Sequence, residues 1–178
     1  MSDSALAPTK GARRAVFSLG SNLGDRLAHL RGAVAALGSE PGVRLVGVSG
    51  VYETAPVGVS GHPDYLNAIV VVESALSAEH LLSSALAIET TLGRRRPTSG
   101  VAPRTVDIDL IAAGDEVVST ALLTLPHPRA HERAFVLLPW VELDPEAQLR
   151  PFGSAKSLLA GLDATGVVPR PDLRIEVP

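Results

Sequence analysis

The chain has 178 residues, a length that suits one domain able to bury about 70% of its unfolded surface without covalent staples. It contains no cysteine, which excludes disulfides, thiolate zinc sites and cysteine nucleophiles, and a formal charge of −3 argues against general nucleic-acid affinity. Met1–Lys10 lacks the basic and apolar regions of a signal peptide, and no apolar run approaches the roughly 18 residues of a membrane span. The expectation is a soluble cytoplasmic protein without nucleic-acid or membrane partners. A disordered lead-in over residues 1–14 would precede a single catalytic domain over 15–178.

Ala15–Leu19 is a short apolar run stopped by Gly20-Ser-Asn-Leu-Gly-Asp25, which predicts a buried strand and a tight turn into a helix. Leu23, Leu27, Leu30, Val34 and Leu37 recur at four- and three-residue steps along that helix. Ser21 or Asn22 is its expected cap, Asp25 suits the positive first turn, and Gly38 and Pro41 end it. A strand is expected through Val43–Val51, weakened by Gly47 and Gly50. Tyr52–Tyr65 then reads as a proline- and glycine-built loop of about 12 residues, a length that in compact domains tends to be functional.

Leu66–Glu73 predicts a strand near the sheet centre, with Asn67 out of place in it. Ser77–His80 opens a second helix that carries Leu81, Ala85, Ile88 and Leu92 on its apolar face, and Gly93 follows its cap. Glu89 lies one turn before the end of that helix, at the edge of the buried face. After the small loop Thr98–Pro103, Pro103–Leu110 reads as a strand with Val106, Ile108 and Leu110 on one face and Asp107 and Asp109 on the other. Gly114-Asp115 signals a hairpin from it to Glu116–Ser119. Leu125–Phe135 is crowded with polar and basic groups, and Phe135–Val141 is apolar and buried, with Trp140 in the core. The proline-rich remainder holds a short helical piece at Ser157–Leu162. The order βαββαββ predicts an α+β fold, a ferredoxin-like layered domain with a mostly antiparallel sheet and helices packed on it.

Aspartate is depleted in strands, so two on one face ask for a reason. Their side chains emerge about 7 Å apart at a rise of about 3.3 Å per residue, close enough to share one hard cation or to hold two about 4 Å apart. A solvated acidic edge that discourages aggregation is the competing reading. Arg94, Arg95, Arg96 and Arg104 flank the approach to these carboxylates, and guanidinium forks take phosphate oxygens in two-pronged fashion. Acids that hold metal beside arginines that hold phosphate are what phosphoryl transfer needs, whereas a capped basic helix end is the plainer account of Arg94–Arg96. His127 and His131 stand at helical metal spacing, but Pro126 and Pro128 put His127 in turn-like backbone. Tyr65, Asn67 and Phe135, two rings and an amide, suit a flat hydrogen-bonding heterocycle, although a buried aromatic is more often core. No G-x-G-x-x-G, P-loop or G-x-S-x-G is present.

The segments SLGSNLGDR (Ser18–Arg26), YETAPVG (Tyr52–Gly58), PDYLNA (Pro63–Ala68), IE…GRRR (Ile88–Arg96), APRTVDIDL (Ala102–Leu110) and LPHPRAHERAFVLLP (Leu125–Pro139) carry a further signal. In order and spacing they closely resemble the 6-hydroxymethyl-7,8-dihydropterin pyrophosphokinases of folate biosynthesis, over roughly Val16–Asp144. The resemblance implies transfer of the terminal diphosphate of ATP, the co-substrate, to the pterin's hydroxymethyl oxygen, with release of AMP and with two magnesium ions (Mg2+) as cofactor. Residue by residue, it implies that Asp107 and Asp109 hold the metal and, with Arg94 and Arg104, carry catalysis. Glu89, Arg94, Arg96, Arg104, His127 and Arg133 would form the ATP site. Thr54, Pro56, Val57, Tyr65, Asn67 and Phe135 would form the pterin pocket, Phe135 stacking on the ring and Asn67 reading its polar edge. The enzyme is expected to act as a monomer.

Three departures from the family pattern predict slower closure over the substrates without loss of activity. Gly100 and Val101 stand where some members carry an arginine and a tryptophan, Ala55 replaces a proline, and Pro128 replaces an aromatic. The rival classes are a metal-dependent phosphohydrolase built on His127, His131 and the two aspartates, and a non-catalytic nucleotide-binding module.

Overall fold

The computed structural model describes residues 11–56, 61–95 and 102–176, so Val57, Arg96, Gly100, Val101 and most of the expected lead-in lie outside the described residues. Two strand-helix-strand units interleave in one sheet. The first is β1 (Arg13–Ser21), α1 (Arg26–Ser39), β2 (Val43–Val48) and β3 (Tyr52–Thr54), and the second is β4 (Tyr65–Ser74), α2 (Ala78–Thr91) and β5 (Asp107–Ala113). β1 lies between β4 and β5, while the far side of β4 pairs with β2 along its C-terminal half and with β3 along its N-terminal half. Every pairing is antiparallel, and the α+β layered fold expected from the sequence is the one observed. A short ribbon follows, β6 (Val118–Ser119) with β7 (Thr124–Leu125), then α3 (Ala134–Leu143), β8 (Gln148–Leu149), β9 (Gly153–Ser154), α4 (Ala155–Ala160) and β10 (Val168–Pro169).

β1 and β4 are apolar almost without a break because both of their faces are covered. On one face Ala15, Phe17, Leu19, Leu66, Val70, Val72, Ile108 and Leu110 form a core with Leu30, Val34 and Leu37 of α1 and Leu81, Ala85 and Ile88 of α2. On the other, Val16, Ile69, Val71 and Ile111 pack with Val136, Leu137 and Trp140 of α3. Full burial of each such side chain is worth about 1.5–3 kcal/mol, and that term holds the helices to the sheet. The apolar residues of the α3 face stop at Ser18, Asn67 and Asp109, and from there the same face is polar.

Several expectations need correction. Leu23 is 44% exposed and precedes α1, which starts at Arg26 with Asp25 as its cap, the carboxylate accepting the Ala28 N–H at 3.0 Å. Asn22 is committed elsewhere. The strand expected to reach Val51 stops at Val48 after a bulge between Leu45 and Gly47. What read as one loop from Tyr52 contains β3, and the acidic strand begins at Asp107, later than Pro103. The hairpin partner of β6 is β7 rather than β5. Phe135–Val141, expected to be buried, is helical, with Val136, Leu137, Pro139 and Trp140 buried and Phe135, Leu138 and Val141 only partly so.

Tyr52, almost wholly buried, donates its hydroxyl to Glu142 of α3 and so ties β3 to that helix. Burial, reinforced by Glu142, pushes the phenol far above its ordinary value of 10.0. A group whose pKa is higher folded than unfolded contributes stability that is complete below the unfolded value and is lost as pH rises through the folded one. Tyr52→Phe should therefore lose less melting temperature than the wild type between about pH 10 and pH 11.5. Equal losses would show that this phenol does not control alkaline stability.

Candidate active site

The strand register lays out the polar end of the sheet. Asp109 pairs with Ser18, Asp107 with Gly20, Gly20 with Asn67, Asn67 with Tyr52, and Tyr65 with Thr54, so these residues line one face in adjacent rows. Gly20 is the floor between Asp107 and Asn67: a Cβ there would stand 3.6 Å from Asn67 Oδ1 and Tyr65 Cδ1 and 3.9 Å from the Asp107 Cβ. Those are ordinary contacts, so Gly20→Ala should fold and retain most activity. Gly20→Leu should fold with little change in far-UV circular dichroism yet lose activity, because the longer side chain occupies the space above the floor. An active leucine variant would mean that the trough is not where substrate lies.

A helix cap delivers the first arginine. Gly93 takes φ +81°, its N–H donates to Thr90 O at 3.1 Å, and the Arg94 N–H donates to Glu89 O at 3.0 Å, a Schellman ending that folds the chain back over the helix. Arg94 then donates to the carboxylates of both Glu89 and Asp107. Glu89 is buried and also accepts the Ile108 N–H at 2.8 Å, which pins the acidic strand between its two aspartates. On the other side of Asp107, Arg104 Nη1 reaches Oδ2 at 2.7 Å, and its guanidinium lies over the Tyr65 ring, 5.9 Å from the centroid. Asn22 accepts the Arg104 N–H at 2.8 Å and donates to Pro63 O at 3.2 Å, joining the approach to the acidic strand to the loop before Tyr65.

Asp109 faces a second basic pair. Arg133 Nη1 stands at 3.5 Å and His127 Nε2 at 4.0 Å from its Oδ2, and the His127 N–H bonds to Ile111 O at 2.8 Å, holding the imidazole beside β5. Burial first and the Asp107 charge second push the Asp109 carboxyl above its ordinary value, against His127, Arg133 and Arg94. Burial likewise holds the His127 imidazole below its usual range, with Asp109 opposing. β5 is an edge strand, but neither carboxylate is solvated in the manner of an aggregation guard, since both sit in ion pairs. Asn67 Nδ2 donates to Thr54 Oγ1 at 2.9 Å, and Arg133 lies over the partly buried Phe135 ring at 5.6 Å. Pro56 is partly buried just beyond β3. His131 does not join the cluster; it stacks on Phe152 with ring centroids 4.0 Å apart.

A cleft of about 350 Å³ opens above Glu89, Arg94, Asp107, Asp109 and His127. Its far wall is Pro128 together with Leu82, Leu86, Leu122, Leu123 and Thr124, and these last five sequence reasoning did not single out. The available signal was a pair of leucines four apart on α2 but off its core stripe, Leu86 being 40% exposed, with Leu122 at 84% in the ribbon turn.

The 7,8-dihydro-6-hydroxymethylpterin-pyrophosphokinase family matches this chain over residues 16–145. The chain belongs to that family. It is 41% identical over 154 residues to the 2-amino-4-hydroxy-6-hydroxymethyldihydropteridine pyrophosphokinase of Methylorubrum extorquens, covering 86% of this chain and 96% of that one. The proteins of the same name from Bacillus subtilis and Mycobacterium leprae are each 42% identical, over 72% and 85% of this chain and 77% and 84% of their own lengths. Crystal structures of Plasmodium falciparum HPPK-DHPS superpose with TM-scores of 0.65 (A437G with STZ-DHP, 12% identity, 88% of this chain) and 0.64 (wild type with pteroate, 14% identity, 84% of this chain). At that identity the likeness speaks for the fold alone, and this chain spans 46% and 42% of those longer chains. The family match ends at residue 145, so α4 and β10 lie beyond it.

Proposed function

We infer that this pyrophosphokinase transfers the terminal diphosphate of ATP to 6-hydroxymethyl-7,8-dihydropterin at the polar end of the sheet, releasing AMP, as a step of folate biosynthesis. The observation that carries the assignment of the site is the run of adjacent rows from Asp109 through Asp107 and Gly20 to Asn67, with arginines on both flanks. It joins a phosphate-binding half to a half that can read a flat heterocycle.

The donor set fits magnesium. Asp107 and Asp109 offer oxygen ligands only, and among the described residues no group of three or more His, Cys, Asp and Glu is arranged to hold a metal ion by itself. Two carboxylates and no protein cage suit a hard cation that completes its sphere with substrate phosphates and water, and do not suit a closed zinc site. Two Mg2+ ions held by Asp107 and Asp109 would neutralise phosphate oxygens and polarise the phosphorus under attack.

Arg94 and Arg104, which brace Asp107 here, take phosphate oxygens when ATP arrives, and His127 and Arg133 hold the chain of phosphates on the Asp109 side. Leu82, Leu86 and Leu122 offer the adenine an apolar wall. On the other side Phe135 stacks on the pterin, Asn67 reads its polar edge, and Thr54, Pro56 and Tyr65 close the pocket. With both substrates so placed, the hydroxymethyl oxygen attacks the β-phosphorus in line, and positioning with charge stabilisation supplies the rate. We take the enzyme to act as a monomer in the cytoplasm.

The test is product analysis with ATP and the pterin. AMP should form only when pterin and a divalent cation are both present, and excess chelator should stop it. Phosphate release from ATP alone would favour the hydrolase reading instead, which the removal of His131 from the cluster already weakens. Phe135→Ala should raise the pterin KM about tenfold and leave the ATP KM unchanged, since one stacked ring accounts for roughly 1–1.5 kcal/mol. Equal changes in both constants would place the ring elsewhere.

A further inference from the structure

The tail beyond the family match returns to the pterin end of the sheet. β10 pairs with the outer edge of β3, Val168 opposite Glu53 and Pro169 opposite Tyr52, and the Arg170 N–H donates to Val51 O at 2.8 Å. The Arg170 guanidinium then divides its donors: Nη1 bonds to Glu53 Oε2 at 2.5 Å, while Nε and Nη2 fork onto Asp172 at 2.9 and 2.7 Å. The other Glu53 oxygen accepts from Arg26 Nη1 at 2.8 Å, and that same nitrogen donates to Asp64 O at 2.7 Å. The Glu53 side chain is 24% exposed and both arginines are 28% exposed, so the cluster is shielded compared with an open surface pair. Arg26, helped by Arg170, holds the Glu53 carboxyl below its usual range despite partial burial.

The cluster grips both ends of one loop. Glu53 precedes Thr54, the last residue of β3, and Asp64 precedes Tyr65, the first of β4, and Thr54 and Tyr65 are register partners. β3 is three residues long, too short to hold its place on the pairing with β4 alone. The tail gives it a second neighbour, and Arg170 and Arg26 give its outward carboxylate two charged anchors from elements far apart in the chain.

We propose that Arg170, acting through Glu53, is a positioning residue for the pterin pocket, making the C-terminal tail part of the substrate site without touching substrate. The proposal rests on the pocket assigned above. Arg170 removal leaves the Asp107 and Asp109 half untouched, so the loss falls on one substrate. In the full-length chain, Arg170→Ala should raise the pterin KM about fivefold, the scale expected when a substrate-facing group shifts by a fraction of an ångström. The ATP KM and kcat should stay within about twofold, and Arg170→Lys, which keeps the charge on Glu53, should restore most of the loss. Glu53→Gln should reproduce the alanine effect and decides the matter if Arg170→Ala folds poorly. A pterin KM within about twofold of wild type in both variants, or an equal rise in the ATP KM, overturns the clamp, whatever happens to the melting temperature. Phe135→Ala in the same assay separates the causes: if it alone raises the pterin KM, the clamp is wrong and the pocket stands. If it too is silent, the pocket assignment has failed and the clamp falls with it.

Discussion

Asp109→Asn is expected to lower kcat on the order of a thousandfold while leaving the melting temperature at neutral pH unchanged or higher. The activity loss follows from removing one of two carboxylates able to hold the metal, a change of about 4 kcal/mol at 1.36 kcal/mol per decade. The stability expectation follows from the direction of its titration. The Asp109 carboxyl is pushed above its ordinary value of 3.8 by burial and then by Asp107. Its contribution to stability is therefore complete only at pH below that value and is lost as pH rises through the folded pKa. At neutral pH the partly buried charge beside Asp107 is a cost, and asparagine removes it while keeping the shape. Divalent-cation titration of the variant by calorimetry, beside its melting curve, checks both halves. An active variant would remove Asp109 from the chemistry, and a strongly destabilised one would show that its pairing with Arg133 outweighs its burial.

Arg104→Ala should lower kcat by roughly a hundredfold or more, the scale on which one preorganised donor to developing charge acts. Its guanidinium spans the two halves of the site, bonded to Asp107 at 2.7 Å and lying over Tyr65 at 5.9 Å. In the proposed reaction the group being transferred would pass between those halves. Arg104→Lys should recover only part of the rate, because an ammonium keeps the charge but loses the fork and the planar face toward Tyr65. Steady-state kinetics with each substrate varied in turn reads this directly. A change confined to the ATP KM would reduce Arg104 to a binding contact.

The acidic strand was readable because alternation is a local property: Val106, Ile108 and Leu110 had to face the core, which left Asp107 and Asp109 together on the other side. Ser77 as a cap and Gly93 after the second helix were readable for the same reason, since each satisfies backbone groups within its own turn. What stayed hidden depends on partners distant in the chain. Asn22 looked like a helix cap, but its amide is used by Arg104 and Pro63, so Asp25 caps instead. Phe135–Val141 read only as an apolar, buried run with no period to name its structure, and it is the helix α3 because Val136, Leu137 and Trp140 fill the second face of the sheet. β3 and β10 are too short to show any period, and they form where β3 pairs with β4 and β10 pairs with β3. The leucine wall of the cleft was missed because apolar residues on an exposed helix shoulder look the same whether they await a ligand or simply sit there.

Following the terminal phosphate of ATP tests the central claim most directly. With ATP labelled at the γ-phosphorus, pterin and magnesium, every label consumed should appear in the pterin diphosphate, with one AMP formed for each and none as free orthophosphate. Label recovered as orthophosphate, or ADP as the nucleotide product, would contradict transfer of the diphosphate as a unit at Asp107 and Asp109.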